Sequence, residues 1–460
     1  MSGSGSGLRV AVVGAGVSGL AAACALVAAG AEVTVLERSD RPGGKLRGAE
    51  LDGVTLDVGA ESMLLRGRPE LVTLLDELGL SGALTGPTAA KPAILVGGRA
   101  VGIPRSLMGV PADLEALRPL LSPEGWRRAA EEPSLPAPPT VGDVAIGALV
   151  SERFGPEVTD RLLEPLLGGV YAGHSRELST AAVNPRLWEL ARAGGSLLEG
   201  AAAALPPSSG GSPFTGVVGG VHRVVDALAA ALGDRLRLGT TVHALERTAG
   251  GWRLSTGAVP RPERLEVDAV VLAVPAPAAA RLLDGTPAQQ PLAGVRHASP
   301  AVVALRVTGV EPDGSGLLVP PGELAAVKAV THAGRKWAWL GESTAGAWGA
   351  GHHLVRVSLG RLGEEHLLQR GDEDLVGLAL TDLRRLPGWA DVSVVSHLVQ
   401  RWGGGLPQYE VGHLDRVAAV ERGVADLGAL AVCGAAYHGV GVGPCLSSGL
   451  RAAAQVLPAA

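Results

Sequence analysis

Three glycines at Gly14, Gly16 and Gly19 follow an apolar run, Arg9-Val10-Ala11-Val12-Val13, and an acid, Glu37, stands eighteen residues beyond the last of them. Residue types in that order suit one task, holding the diphosphate and ribose of an adenosine dinucleotide. Gly14 permits a tight turn, Gly16 lets the backbone approach a pyrophosphate, and Gly19 lets the next helix lie close on the strand. Val17 and Ser18 open that helix, whose N-terminus offers free amides and a positive dipole end to phosphates. Glu37 closes a second strand, Glu32-Val33-Thr34-Val35-Leu36. Its carboxylate can accept from a ribose 2′-hydroxyl and would repel a 2′-phosphate. A lone glycine fingerprint is weak evidence; strand, turn, helix, strand and acid at this spacing are strong. A second glycine pair follows in Arg41-Pro42-Gly43-Gly44-Lys45.

The elements that must position these residues form a long chain. Its 460 residues allow two or three domains, and at 47% hydrophobic content a large core is available. With 2 phenylalanines and 3 tyrosines, alanine, valine and leucine must build that core. A net charge of −5 gives no basic face and argues against nucleic acid. Cys24, Cys433 and Cys445 form neither a disulfide framework nor a metal spacing, which fits a reducing cytoplasm. Met1 to Gly7 reads as a Ser/Gly leader without the charged start of a secretory signal. Val10–Ala31 and Leu427–Leu450 lack acidic and basic charges over a membrane-spanning length. Internal glycines break both, so each reads as a buried strand, turn and helix of a soluble protein.

Further along, Pro69 to Leu78 reads as a helix closed by Gly79. Ala93–Val96 and Ala100–Ile103 read as strands joined by Gly97-Gly98. The pattern is helical from Ser106 to about Leu205, with a break at Pro133–Pro139 and a linker at Pro206–Pro213. After the linker come a helix over 224–232, strands over 240–245, 269–274, 301–305 and 353–357, and a helix over 374–386. The chain ends as it begins, with a strand over 429–434, a glycine turn at Gly439–Gly443 and a helix over 445–456.

The opening fingerprint with Glu37, the Gly43-Gly44 pair, the strand Asp268-Ala269-Val270-Val271-Leu272-Ala273-Val274-Pro275 and the terminal Gly434…Gly439-Val440-Gly441 resemble flavoproteins of the amine oxidase and phytoene desaturase superfamily. Three stretches narrow the likeness: Leu163–Gly173, Trp402–Tyr409 and Tyr437–Cys445. Together they resemble the oxygen-dependent protoporphyrinogen and coproporphyrinogen oxidase family, in particular its bacterial coproporphyrin-forming branch. The resemblance implies an α/β fold in which a discontinuous Rossmann-like FAD-binding domain (1–60, 212–298, 412–460) carries a mixed-sheet substrate domain (61–105, 299–411). Residues 106–211 would form a helical insertion and linker. FAD would be held without a covalent bond by Gly14, Gly16, Val17, Ser18, Gly19, Glu37, Arg38, Gly43, Gly44 and Lys45. Gly59, Ala60, Glu61, Val242, Gly434, Gly439, Val440, Gly441 and Val442 would complete its site.

The implied reaction is the six-electron oxidation of coproporphyrinogen III by dioxygen, releasing hydrogen peroxide, with the tetrapyrrole available to a ferrochelatase. Protoporphyrinogen IX oxidation is the alternative, and an amine oxidase, a desaturase or a flavoprotein without turnover are more distant ones. The protein's part is geometry, so no catalytic base is assigned. Gly168 and Gly169 would let backbone meet the macrocycle, or form a loop that needs positive φ. Tyr171 would pack on the substrate or in the core. Lys91 stands where the family places a basic residue for a propionate, although an arginine there would grip a carboxylate in two bonds and a lysine does not. Arg99, Arg335 and Lys336 read as surface charges. His438 reads as a packed or hydrogen-bonded histidine, Cys445 as a residue of the first helical turn, and no histidine spacing suggests a metal. Charges at Arg127, Arg128, Glu131 and Glu132 in the helical part imply at most weak peripheral membrane contact.

Overall fold

A computed structural model describes residues 7–136, 142–206, 212–258 and 261–458. The expected linker falls largely at 207–211, and most of the expected leader at 1–6, outside those residues. The strand Arg9–Val13 is central in a five-stranded parallel sheet, flanked by Glu32–Leu36 on one side and Ala269–Leu272 on the other. Leu236–Arg237 and Leu430–Val432 complete the two edges. Residues more than 250 positions apart thus sit side by side, as the dispersed apolar runs predict. The helix Val17–Ala28 returns over this sheet. A Cβ added to its Gly19 would overlap the Gly14 carbonyl oxygen, so only glycine lets helix and turn close so tightly. The C-terminal helix Val442–Val456 and the helix Pro69–Glu77 pack into the same apolar core, the latter through Leu71, Leu74 and Leu75.

A second sheet has seven strands, in the order 393–401, 301–308, 353–359, 327–332, 316–318, 92–96 and 99–102. All neighbours run antiparallel except Gly316–Leu318 with Pro92–Val96, which makes the sheet mixed. Gly97 and Gly98 both adopt positive φ in the hairpin that joins its last two strands. The helix Asp372–Leu383 covers one face of the sheet through Leu375, Ala379 and Leu383.

Residues 146–204 are mainly helical, and Ser106–Leu107 pairs with Val110–Pro111 as a small hairpin at the entry to this part. Its polar anchor corrects one expectation: Glu132 is not a surface charge but fully buried, ion-paired with buried Arg153. The same carboxylate accepts from Leu197 N at 2.8 Å and Ser196 Oγ at 2.6 Å, and so caps the helix Leu197–Ala204. A buried carboxylate is tolerated because both of its oxygens are paired. Among the described residues, no helix is long and apolar enough to cross a membrane.

Candidate functional site

The amino-terminal turn is held from two directions. Glu37 Oε2 accepts from Ala15 N at 2.7 Å, and Oε1 accepts from Ser39 N and Ser39 Oγ at 2.9 and 2.8 Å. Gly43 N donates to the Ala15 carbonyl at 2.8 Å, which lays the second glycine pair against Gly16. Val242 begins a strand at the same edge, two residues after Thr240 N meets the Glu37 carbonyl at 2.7 Å. Arg38 is exposed. Gly16 faces open space, since a Cβ there would meet no heavy atom within 4 Å. The helix behind it has no side-chain cap. A free helix N-terminus beside an open backbone groove is the geometry that a diphosphate requires.

Lys45 continues this groove inward. Its ammonium donates to the Gly405 carbonyl at 2.7 Å, and burial pushes its pKa down. Ala60 N donates to the Lys45 carbonyl at 3.2 Å, and any Cβ on Gly59 would overlap that oxygen. Trp402 packs beside Gly59 and donates from Nε1 to the Val58 carbonyl at 3.0 Å. Glu61 has its side chain committed elsewhere. Burial opposes its charge, but Arg356 and Lys336 hold its carboxyl at about 2. Arg356 also donates to the Gly59 carbonyl at 2.8 Å, tying this segment to the seven-stranded sheet. Lys336, 2.5 Å from Glu61, is therefore a half-buried ion-pair partner and not the surface charge its sequence context suggests. Arg99 and Arg335 are exposed.

The terminal glycine turn closes the far end. Gly434 N donates to Ser448 Oγ at 3.1 Å, and the helix Val442–Val456 again lacks a side-chain cap. Tyr409 pins the turn: its hydroxyl donates to the Ala435 carbonyl and accepts from Gly439 N, both at 2.7 Å. Its ring stacks on His413 at 3.8 Å between centroids and leans on Tyr171 at 5.5 Å. Tyr171 is thus a core residue, with its phenol pushed upward by burial. His438 hydrogen-bonds Glu421 at 2.6 Å, in keeping with its sequence reading. Cys445 lies buried in the first helical turn, where burial raises its thiol pKa.

Beside this turn stands the helix Glu164–Tyr171. The loop reading of Gly168 and Gly169 is corrected: both lie within that helix, and the positive φ falls on Ala172, which ends it. Gly168 is buried, yet an added Cβ would meet nothing within 4 Å, while a Cβ on Gly169 would approach only Leu318 Cδ2, at 3.7 Å. Val440 of the terminal turn packs into the same apolar cluster as Leu166, Leu167, Tyr171 and Leu318. The terminal glycine turn and the Gly168 helix are thereby brought to one place. Lys91 is exposed at the head of the strand Pro92–Val96, and its described hydrogen bond is its carbonyl's, from Ser315 N at 3.0 Å.

Four residues that line or brace this region escaped the sequence reading: Tyr409's anchoring hydroxyl, Arg356, Lys328 and Arg361. Lys328 carried a legible signal, a single charge within Leu324-Ala325-Ala326-Val327-Lys328-Ala329-Val330. It is 5% exposed. Among the described residues no cluster of histidine, cysteine or acidic side chains could hold a metal ion.

Residues 17–457 match the model of the flavin containing amine oxidoreductase family. The chain is 37% identical to the coproporphyrinogen III oxidase of Mycobacterium tuberculosis over 97% of both chains. It is 28% identical to that of Bacillus subtilis over 98% of both. A crystal structure from Exiguobacterium sp. 255-15, provisionally assigned as a protoporphyrinogen oxidase, superposes with a TM-score of 0.85 at 29% identity, covering 99% of each chain. The open groove at Gly16, the two uncapped helices and the inward Lys45 fit a flavin cofactor. The chain belongs to the flavin containing amine oxidoreductases and groups there with the coproporphyrinogen III oxidases.

Proposed function

We propose that this protein oxidises coproporphyrinogen III to coproporphyrin III in haem biosynthesis, using non-covalent FAD and dioxygen and releasing hydrogen peroxide. The observation that carries the reading is the meeting of the terminal glycine turn, through Val440, with the Gly168–Gly169 helix and Leu318. Kinship with enzymes named for this reaction supports it over 97% of the chain. When bound, the flavin supplies an acceptor for two electrons at a time, so three rounds complete the aromatic product.

The chain's residues bind and orient. The free amides of Val17, Ser18 and Gly19 would face the diphosphate, and Glu37 Oε2 retains a lone pair for the adenosine ribose. Gly43, Gly44, Lys45, Gly59 and Ala60 would follow the cofactor inward. Gly439, Val440, Gly441 and Val442 would hold its reactive end, and Tyr409 fixes their backbone. Gly168 and Gly169 leave room for a macrocycle to lie on a helix. Cys433 and Cys445 are buried with raised thiol pKa values and are poor nucleophiles, which favours a non-covalent cofactor.

An aromatic cage for an amine is not supported by the scarce tyrosines and phenylalanines. Tyr171 and Tyr409 lean on each other, Phe154 is core, and Phe214 is exposed. Protoporphyrinogen IX is the second reading, favoured by the Exiguobacterium neighbour. The purified protein should be yellow, release intact FAD on heat denaturation, and turn coproporphyrinogen III fluorescent in air. A colourless protein that binds no FAD would refute the proposal.

A further inference from the structure

Lys328 is a buried lysine, 5% exposed, and burial pushes its pKa down to about 8. It stands at an irregularity of its strand: Val327 pairs with Leu359 and Ala329 with the adjacent Ser358, so Lys328 is the extra residue of a β-bulge against that strand, while its carbonyl accepts from Val319 N at 3.0 Å on the other side. A bulge re-aims the side chain it carries. Here the ammonium reaches the carbonyl of Gly168 at 3.3 Å, a long bond that uses one of three donors. Arg361, 9% exposed at its side chain, sits close by and donates to the Val319 carbonyl at 3.0 Å. Two acids lie on the Arg361 side of the pair. Glu364 lies 3.9 Å from Arg361 and is one-third exposed at its side chain, whereas Glu164 is taken by Ser175 N at 2.8 Å and His174 at 3.5 Å. The buried Lys328 ammonium thus has one described hydrogen bond, a long one, for its three donors, which is costly unless a ligand accepts from the others. The helix above it bears the open space at Gly168.

We infer that Lys328, backed by Arg361, receives a carboxylate of the tetrapyrrole and sets the enzyme's preference among porphyrinogens by their acidic side chains. The inference rests on the porphyrinogen reading above and adds to it a specificity-determining residue. Coproporphyrinogen carries four propionates and protoporphyrinogen two, with vinyl groups replacing the others. A fixed ammonium that must be paired discriminates against the apolar replacement.

The holoenzyme and its Lys328→Met, Lys328→Gln and Lys328→Arg variants decide it, through steady-state kinetics on both porphyrinogens and titration with the product coproporphyrin III. The neutral variants should raise KM for coproporphyrinogen III and weaken coproporphyrin III binding by about ten- to a hundredfold. Their KM for protoporphyrinogen IX should change less, with full flavin content and an equal or higher melting temperature. Lys328→Arg should keep most of the affinity. Unchanged KM and product binding in a flavin-replete neutral variant overturn the inference, as does a loss equally large in Lys328→Arg, which would mark a packing role. A wild-type protein that oxidises neither porphyrinogen nor binds coproporphyrin III defeats the underlying reading instead.

Discussion

A Cβ on Gly449 would overlap the carbonyl oxygen of Ser18, so the two helices that open the cofactor groove touch backbone to backbone. One begins after the amino-terminal glycine turn and the other after the carboxy-terminal turn. Their contact sets the distance between the two ends of the cradle. Gly449→Ala should therefore push the helices apart and cost about 3 kcal/mol or more, as overpacking against backbone does. Thermal denaturation with a flavin-to-protein ratio checks this. A variant with native melting temperature and full flavin content would show that the contact is not critical.

Tyr409→Phe removes a hydroxyl that satisfies both Ala435 O and Gly439 N. The ring packing stays, while a buried donor is left unpaired at about 1–3 kcal/mol. The expected result is a lower melting temperature and faster flavin release with little change in secondary structure by circular dichroism. Equal flavin release from the two proteins would argue against the pinning role.

Glu37→Gln replaces an acceptor-only carboxylate that faces three donors, Ala15 N, Ser39 N and Ser39 Oγ. An amide presents its own N–H groups to at least one of them. FAD affinity should fall about tenfold, the effect of one lost charge-assisted bond. Titration of apoprotein with FAD measures it, and an unaltered dissociation constant would contradict the role given to this acid.

Glu61 predicts an acid-sensitive joint between the cofactor segment and the seven-stranded sheet. Its folded pKa of about 2, set against burial by Arg356 and Lys336, lies below the ordinary 4.5. A lowered carboxyl pKa adds stability that is full above the unfolded value and drains as pH falls towards the folded one. Between about pH 4.5 and pH 2 the wild type should lose more urea resistance than Glu61→Gln. Parallel losses in the two proteins would rule this joint out as the cause.

Much of this was legible because the relevant signals are local. The fingerprint at Gly14–Gly19 with Glu37 dictates strand, turn and helix from adjacent residues, and the terminal Gly439–Gly443 turn does the same. Gly97-Gly98 announces its hairpin equally well. The failures are non-local. Gly168 and Gly169 suggest a loop by propensity, but the helix that opens at Glu164 runs through them and closes only at Ala172. Glu132 and Lys336 look like surface charges until distant partners, Arg153 and Glu61, fold onto them. Lys328 was visible as a charge in an apolar strand, but its aim depends on a bulge that no single-strand pattern encodes.

The most direct test of the account is aerobic turnover of the two porphyrinogens by the same flavin-replete preparation, followed by porphyrin fluorescence and peroxide formation. The account predicts coproporphyrin III and peroxide in about a one-to-three ratio, one peroxide for each two-electron round, with a higher kcat/KM for coproporphyrinogen III than for protoporphyrinogen IX. No porphyrin formed from coproporphyrinogen III would contradict it.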